Sequence, residues 1–195
     1  MKALPINCEA HYFEDFLAPA EASALFDEIY NGYEITRKVI KMADGSEYAA
    51  ENSTYLFVDP ELMSFDALPE VWGGRSPWPE SLEKIRDRIE LETGARFQVA
   101  RSVFYKDGSE SMGPHRDLPA YGSTTPIASI SLGAEREFVI RPLDPADASL
   151  SLMLKSGSLL FMGEHFQERY EHELPACQQV LEPRINLTFR RYGWD

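Results

Sequence analysis

The chain has 195 residues, of which 44% are hydrophobic, and a formal net charge of −13. This length suits one domain with a sizeable core, so a single domain over 1–195 is predicted. The charge opposes a large nucleic-acid footprint, because nucleic-acid binding depends on Lys and Arg at phosphates, but it permits a small one.

No apolar run approaches the roughly 20 residues of a membrane helix, so no membrane span is expected. The first residues, Met1–Pro5, lack the long apolar core of a secretory signal, which predicts a cytoplasmic protein. We also expect a monomer. Free thiols are expected for Cys8 and Cys177 in a reducing compartment, with a disulfide between them as the open alternative.

Two amphipathic helices are predicted in the first half of the chain. The first covers Pro19–Tyr30, where a proline in the first turn precedes an apolar stripe. The second runs from about Pro79 to Thr93, with apolar residues on one face and Gly94 as its C-terminal stop.

The segment between these helices, Thr36–Pro77, is irregular in pattern and rich in turn residues. A loop of this length in a compact domain is usually functional or disordered, and its aromatic residues argue against disorder. We therefore interpret it as a substrate-covering region that contains short strands. Four of its aromatic residues look exposed from the sequence, namely Tyr48, Tyr55, Phe57 and Trp72.

From Phe97 onward the pattern changes to short β-rich segments separated by turn residues. Several short strands in succession indicate a sandwich or a barrel, with the two preceding helices packed on one face. The predicted class is mostly β with flanking helices, an α+β arrangement. The predicted strands are Phe97–Tyr105, Pro126–Leu132, Glu137–Arg141, Ser151–Leu154, Ser158–Met162 and Arg184–Arg191.

Three residues in the β-rich half form a candidate metal site: His115, Asp117 and His172. Side chains alternate along an extended segment, so the first two project to the same side. Two histidines and one carboxylate are the ligands of non-haem Fe(II) oxygenases, which leave other metal positions open. A His-x-Asp pair alone is a weak signal, and an ordinary surface or hydrogen-bonded role is the alternative. We assign that ordinary role to His11 and His165.

The strand Arg184–Arg190 strengthens the metal-site hypothesis, because its alternation predicts one apolar face and one polar face. A solvated polar face is the ordinary explanation. If that face instead lines a barrel, its arginines need anionic partners, and a small dicarboxylate would supply two. The apolar set is Ile185, Leu187 and Phe189, and the polar set is Arg184, Asn186, Thr188 and Arg190.

Five segments combine into a more specific pattern: His115-Arg116-Asp117, Pro126–Gly133, Gly157–Met162, His172 and Arg184–Arg190. In order and spacing they resemble the AlkB family of dioxygenases, and the resemblance covers most of the chain apart from Thr36–Pro77. It implies a double-stranded β-helix (jelly-roll) core. It also implies Fe(II) bound by His115, Asp117 and His172, with 2-oxoglutarate and O₂ as co-substrates.

The resemblance further implies roles for the residues around the metal. Arg184 would hold the distal carboxylate of 2-oxoglutarate, and Arg190 would lie near its metal-bound end. Tyr105 and Asn186 would complete the co-substrate site. The implied reaction converts 2-oxoglutarate to succinate and hydroxylates a C–H bond, and a hydroxylated N-methyl group then leaves as formaldehyde.

The function that follows is oxidative demethylation of alkylated nucleobases in DNA or RNA, as in DNA repair. The aromatic residues of Thr36–Pro77 are loose candidates for stacking on a flipped base, although a core position explains each one better singly.

Two positions depart from relatives that act on bases: Val103 replaces a frequent Asn, and Pro119 replaces an acidic residue that contacts the base. Pro119 and the acidic charge favour an alternative, a hydroxylase or demethylase of a protein side chain or small molecule with the same core. A non-catalytic binding protein is disfavoured, because all three predicted metal ligands and both arginines are present.

Overall fold

The computed structural model describes residues 1–36, 39–41, 45–49, 53–64, 68 and 73–193, and the side chains at 40, 41, 48 and 49 lie outside that description. Within these ranges the chain forms two 14-residue helices, one single-turn helix and fourteen strands. No helix in the described ranges is both long and apolar enough to cross a lipid bilayer.

The two long helices precede most of the strands. They are α1 (Pro19–Gly32) and α2 (Glu80–Thr93), and the single turn is α3 (Phe166–Arg169). A 3₁₀ turn covers Pro60–Leu62. The strands are β1 (Lys2–Ala3), β2 (Ala10–Phe13), β3 (Val39–Lys41), β4 (Glu47–Ala49), β5 (Ser53–Val58), β6 (Gly74–Pro77), β7 (Val99–Tyr105), β8 (Met112–His115), β9 (Ile127–Gly133), β10 (Arg136–Pro142), β11 (Leu150–Leu154), β12 (Leu159–Met162), β13 (Tyr170–Leu174) and β14 (Arg184–Arg190).

Most of these strands form two sheets that pack face to face. The larger sheet has the strand order β1-β2-β12-β9-β14-β7-β5-β6, and the smaller one has the order β11-β10-β13-β8. A buried apolar cluster joins them, with Tyr12, Val103 and Ile127 from the larger sheet and Phe138 and Leu154 from the smaller. This two-layered β arrangement confirms the jelly-roll expectation.

Both long helices cover the outer face of the larger sheet, as predicted. The apolar face of β14 packs there, and its side chains are fully buried. Gly94 ends α2 in the left-handed conformation with φ 69°, and its N–H donates to the Glu90 carbonyl at 2.8 Å. The helix residues in this core are Ala22, Leu25 and Ile29 of α1 and Leu82, Ile85 and Ile89 of α2.

The predicted helices and strands all exist, with shifted ends. Helix α1 continues to Gly32 rather than Tyr30, and β7 begins at Val99 rather than Phe97. Two strands of the smaller sheet, β8 and β13, were not predicted. Strand β8 contains Gly113 and Pro114, which suppress a strand signal.

The segment Thr36–Pro77 contains the short strands β3 to β6, and its two described aromatic side chains take the core positions that explain them better than their exposed appearance in the sequence. Phe57 is fully buried rather than exposed, and Tyr55 is half-buried with its ring 5.4 Å from that of Tyr33. Both lie on β5, which is an internal strand beside β7, and both pack on its helix side. Trp72 and the side chain of Tyr48 lie outside the described residues.

Candidate active site

A pocket lies between the two sheets, lined by β7, β9, β12 and β14 on one side and by β8, β10 and β13 on the other. The polar face of β14 points into it, so the solvated-face alternative does not hold. Every residue predicted for the metal or the co-substrate lines this one pocket: Tyr105, His115, Asp117, His172, Arg184, Asn186 and Arg190.

The three candidate metal ligands converge on a single point of the pocket. His115 ends β8, Asp117 lies two residues beyond it, and His172 is the middle residue of β13. His115 and His172 are register partners, and their ring centroids are 4.4 Å apart. Nε2 of His172 lies 3.7 Å from Oδ2 of Asp117. One potential ligand atom from each residue lies within 4.8 Å of the others, a spacing that one metal ion can bridge.

Both histidines are in a state that suits metal binding. Nδ1 of His115 lies 2.8 Å from the Gly113 carbonyl, and a carbonyl only accepts, so Nδ1 carries the proton. Its Nε2 lone pair is therefore free, an arrangement common among metal-binding histidines. Burial lowers the pKa of His172 to about 4, against the opposing effect of Asp117, so its imidazole is neutral at physiological pH.

Two side chains hold Asp117 in place. The Arg190 guanidinium donates to Oδ1 of Asp117 and also to the Leu118 carbonyl at 3.1 Å. The Gln167 amide accepts from the Asp117 backbone N–H at 2.9 Å and lies 3.4 Å from Oδ2 through its nitrogen. These contacts orient the carboxylate toward the two histidines, and they leave a charge pair of Arg190 with Asp117 at the pocket wall.

Arg184 is a buried cation, with 2% of its surface exposed. Its Nη2 donates to the Ser131 hydroxyl at 3.0 Å and to the Asn186 amide oxygen at 3.3 Å, while its Nε has no partner. Its guanidinium also lies 5.3 Å from the ring centroid of Tyr105. Burial lowers the pKa of Arg184 to about 10, so the side chain stays charged at neutral pH. Such a charge with no carboxylate partner in the described residues creates a site for an anionic ligand.

A short polar network continues from Arg184 along the same face of β14. The Asn186 amide contacts the Ser129 hydroxyl at 3.0 Å and donates to the Thr188 hydroxyl at 3.0 Å. Tyr105 lies across from Arg184 on β7, and burial raises its pKa, so its phenol keeps its proton. The floor of the pocket therefore carries several donors suited to carboxylate oxygens.

The sequence prediction missed four polar residues near this pocket. Ser129 and Ser131 alternate with Ala128, Ile130 and Leu132 along β9, and Arg101 precedes Tyr105 by an even number of residues on β7. Period-2 alternation could have placed these three on the pocket side. Gln167 lies in α3, fifty residues from the carboxylate that it contacts, and no sequence pattern marks it.

The other two histidines lie outside the pocket, as expected. The His11 ring stacks at 6.3 Å from Phe161. His165 precedes α3 with φ 64°, and its Nδ1 lies 2.8 Å from the Glu168 carboxylate. Both cysteines are free thiols, and burial raises the pKa of Cys8 to about 11.

The chain is similar to several known proteins over most of its length. It is 43% identical over 204 residues to the DNA oxidative demethylase ALKBH2 of Bos taurus, which covers 98% of this chain and 70% of that protein. It is 34% identical to the alpha-ketoglutarate-dependent dioxygenase alkB homolog 3 of Mus musculus, covering 58% of this chain and 43% of that protein.

The solved structure of OsALKBH1 shares the fold, with a TM-score of 0.66 at 17% identity over 96% of this chain and all of that one. Residues 9–190 match the family model of the 2OG-Fe(II) oxygenase superfamily. Members of this superfamily use Fe(II), 2-oxoglutarate and O₂, for which the pocket offers a His-Asp-His group and a buried arginine. The chain therefore belongs to the 2OG-Fe(II) oxygenase superfamily, as an AlkB-like 2-oxoglutarate-dependent dioxygenase.

Proposed function

We propose that this enzyme demethylates alkylated nucleobases in DNA oxidatively, with His115, Asp117 and His172 holding Fe(II). The observation that carries the site assignment is the convergence of those three side chains beside a buried arginine that has no carboxylate partner among the described residues. The substrate assignment is supported by the 43% identity to the bovine protein named as a DNA oxidative demethylase.

In this proposal the residues of β14 and β7 bind 2-oxoglutarate. Arg184 pairs with the distal carboxylate of 2-oxoglutarate through the unpartnered Nε, and the Tyr105 hydroxyl donates a hydrogen bond to the same carboxylate. The Asn186 amide contacts Arg184 and Thr188 on the same face of β14. Arg190 pairs with the Asp117 carboxylate and orients it, so it acts on the metal site through one of the metal ligands.

Iron held by His115, Asp117 and His172 would supply the activation of O₂, coupled to loss of CO₂ from 2-oxoglutarate. One oxygen atom enters succinate, and the other enters a C–H bond of the substrate methyl group. The resulting N–CH₂OH group breaks its C–N bond, the hydroxyl proton returns to the nitrogen, and formaldehyde leaves. The apolar side chains of Phe138 and Leu174 line the same pocket as these polar groups.

Two measurements test this proposal. Addition of 2-oxoglutarate to the anaerobic Fe(II) protein should produce a visible charge-transfer band, and its absence would contradict the metal and co-substrate assignments. Aerobic reaction with a single-stranded DNA oligonucleotide that carries one methylated base should release succinate and formaldehyde in equal amounts.

A second candidate is oxidation of a protein side chain or small molecule by the same site. It is favoured by the net charge of −13 and by Pro119, which offers no carboxylate two residues after Asp117. Consumption of 2-oxoglutarate without formaldehyde from any methylated oligonucleotide would support this candidate over DNA.

A further inference from the structure

Arg101 is a pocket arginine that the proposed reaction does not use. It lies on β7, on the same face as Val103 and Tyr105, and all three line the pocket. Tyr105 is the register partner of Arg184, whereas Arg101 is the partner of Thr188. At about 3.3 Å per residue, Arg101 lies about 13 Å along the strand from the proposed distal carboxylate site.

The charge of Arg101 has no partner in the described part of the chain. Its guanidinium makes no hydrogen bond or ion pair there, and its Nε is buried without a partner. The groups that face it are Tyr121, Arg190, Asp117 and Tyr105. Asp117 is already paired with Arg190, so it offers Arg101 only a distant attraction.

Among the described residues that line the pocket, the charges therefore do not balance even when iron and 2-oxoglutarate are bound. This described lining holds three arginines (Arg101, Arg184 and Arg190) and one carboxylate (Asp117), which leaves two positive charges. The charges of Fe(II) and of the 2-oxoglutarate dianion cancel each other. A substrate entering the pocket thus meets a surplus of positive charge and an arginine with free N–H donors.

This surplus discriminates between the two chemical kinds of methylated base. Methylation at N1 of adenine or N3 of cytosine gives a base that is protonated and cationic at neutral pH. Methylation at N1 of guanine or N3 of thymine gives a neutral base, with a carbonyl oxygen (O6 or O4) beside the methylated nitrogen at the position where adenine and cytosine carry an amino group. A cationic base would be repelled by Arg101, whereas a carbonyl oxygen would accept from its guanidinium.

We propose that Arg101 is a specificity-determining residue that favours neutral alkylated bases with a carbonyl oxygen beside the methylated nitrogen over cationic ones. This proposal rests on the proposed DNA demethylation and names the substrate class of the same site. The described pocket lining agrees with it, since its single carboxylate is the proposed metal ligand and none is left to attract a cationic base.

The test compares four single-stranded oligonucleotides of one sequence, each with 3-methylthymine, 1-methylguanine, 3-methylcytosine or 1-methyladenine at one position. The measured quantity is kcat/KM for formaldehyde release. The wild-type enzyme should prefer the two neutral bases. In Arg101→Met the ratio of neutral to cationic turnover should fall by roughly 10- to 100-fold, because one charge-assisted hydrogen bond is lost and a like charge is removed.

Two further variants distinguish the effect of the charge at Arg101 from that of its planar guanidinium and from a general change in net charge. Arg101→Lys keeps the charge and loses the planar fork, so it should still discriminate against cationic bases but lose part of the preference for the carbonyl. Arg96→Met removes a positive charge from an exposed residue paired with Glu90, and its ratio should match that of the wild type. The ratio is internal to each preparation, so it does not depend on how much of a variant is folded.

An equal or higher kcat/KM for the cationic bases in the wild type, or an unchanged ratio in Arg101→Met, would overturn the role of Arg101 while leaving demethylation intact. Continued consumption of 2-oxoglutarate with no formaldehyde from any of the four oligonucleotides would overturn the DNA assignment, and the base preference with it.

Discussion

Replacement of Arg184 by methionine removes the buried guanidinium and keeps a side chain of similar length. Within the described part of the chain, that guanidinium donates hydrogen bonds to Ser131 and Asn186 alone, and its Nε has no partner. A charge-assisted hydrogen bond contributes about 1.5–3 kcal/mol, which corresponds to roughly 10- to 100-fold in affinity. We therefore expect the dissociation constant of 2-oxoglutarate to rise by that factor.

The affinity is measured by titrating 2-oxoglutarate into the anaerobic Fe(II) protein and following the charge-transfer band. Arg184→Lys is the matched control, because lysine keeps the positive charge but cannot pair with two carboxylate oxygens at once. Its dissociation constant should lie between those of the wild type and Arg184→Met.

Thermal unfolding provides a second test, because stabilisation by 2-oxoglutarate and removal of the buried charge change the Tm separately. At a concentration 100 times its dissociation constant, 2-oxoglutarate stabilises the wild type by about 2.7 kcal/mol, whereas at the same concentration it stabilises Arg184→Met by only about 0.4–1.4 kcal/mol. Without 2-oxoglutarate, the Tm of Arg184→Met should rise above that of the wild type, because an unpaired buried charge is unfavourable. A lower Tm with unchanged 2-oxoglutarate affinity would show that Arg184 is a structural residue and refute the reasoning.

Three further predictions concern the metal site and the core. His172→Ala should abolish the charge-transfer band, and a band of wild-type intensity would exclude His172 as a ligand. Gln167→Leu should weaken Fe(II) binding by about 10- to 100-fold, because it removes the amide that orients Asp117, and equilibrium dialysis would measure this loss. Phe57→Ala should lower the free energy of unfolding by about 3–5 kcal/mol, since this ring is fully buried, whereas a change below 1 kcal/mol in urea denaturation would contradict its core position.

The parts of the site that the sequence predicts are those set by strand periodicity. The alternation along Arg184–Arg190 separates the residues that pack under the helices from those that line the pocket, and the structure agrees at every position. The same alternation predicts that His115 and Asp117, two residues apart, project to the same side of the chain. A strand pattern assigns a residue to a face without identifying what lies opposite, so the pairing of His115 with His172 could not be read from the sequence.

Residues that support the site through distant contacts were harder to predict. Gln167 reaches Asp117 from a single helical turn, where a buried glutamine looks like any surface residue in sequence. Phe57 belongs to a segment, Thr36–Pro77, whose many turn residues predict a surface loop, yet β5 lies between β6 and β7 inside the larger sheet. In both cases the long-range strand order decides the environment of the side chain, and local composition does not report that order.

The register pairing of His115 with His172 has a consequence for solubility. Strand β8 is the terminal strand of the smaller sheet, and its pairing with β13 contains an irregularity between His172 and Leu174. A metal ion bound by both histidines would link this edge strand to β13 and stabilise their pairing. Loss of the ion would weaken the pairing of β8 with β13 and expose backbone N–H and C=O groups of β13 to strands of other molecules. Iron depletion would then make the protein prone to self-association as well as inactive.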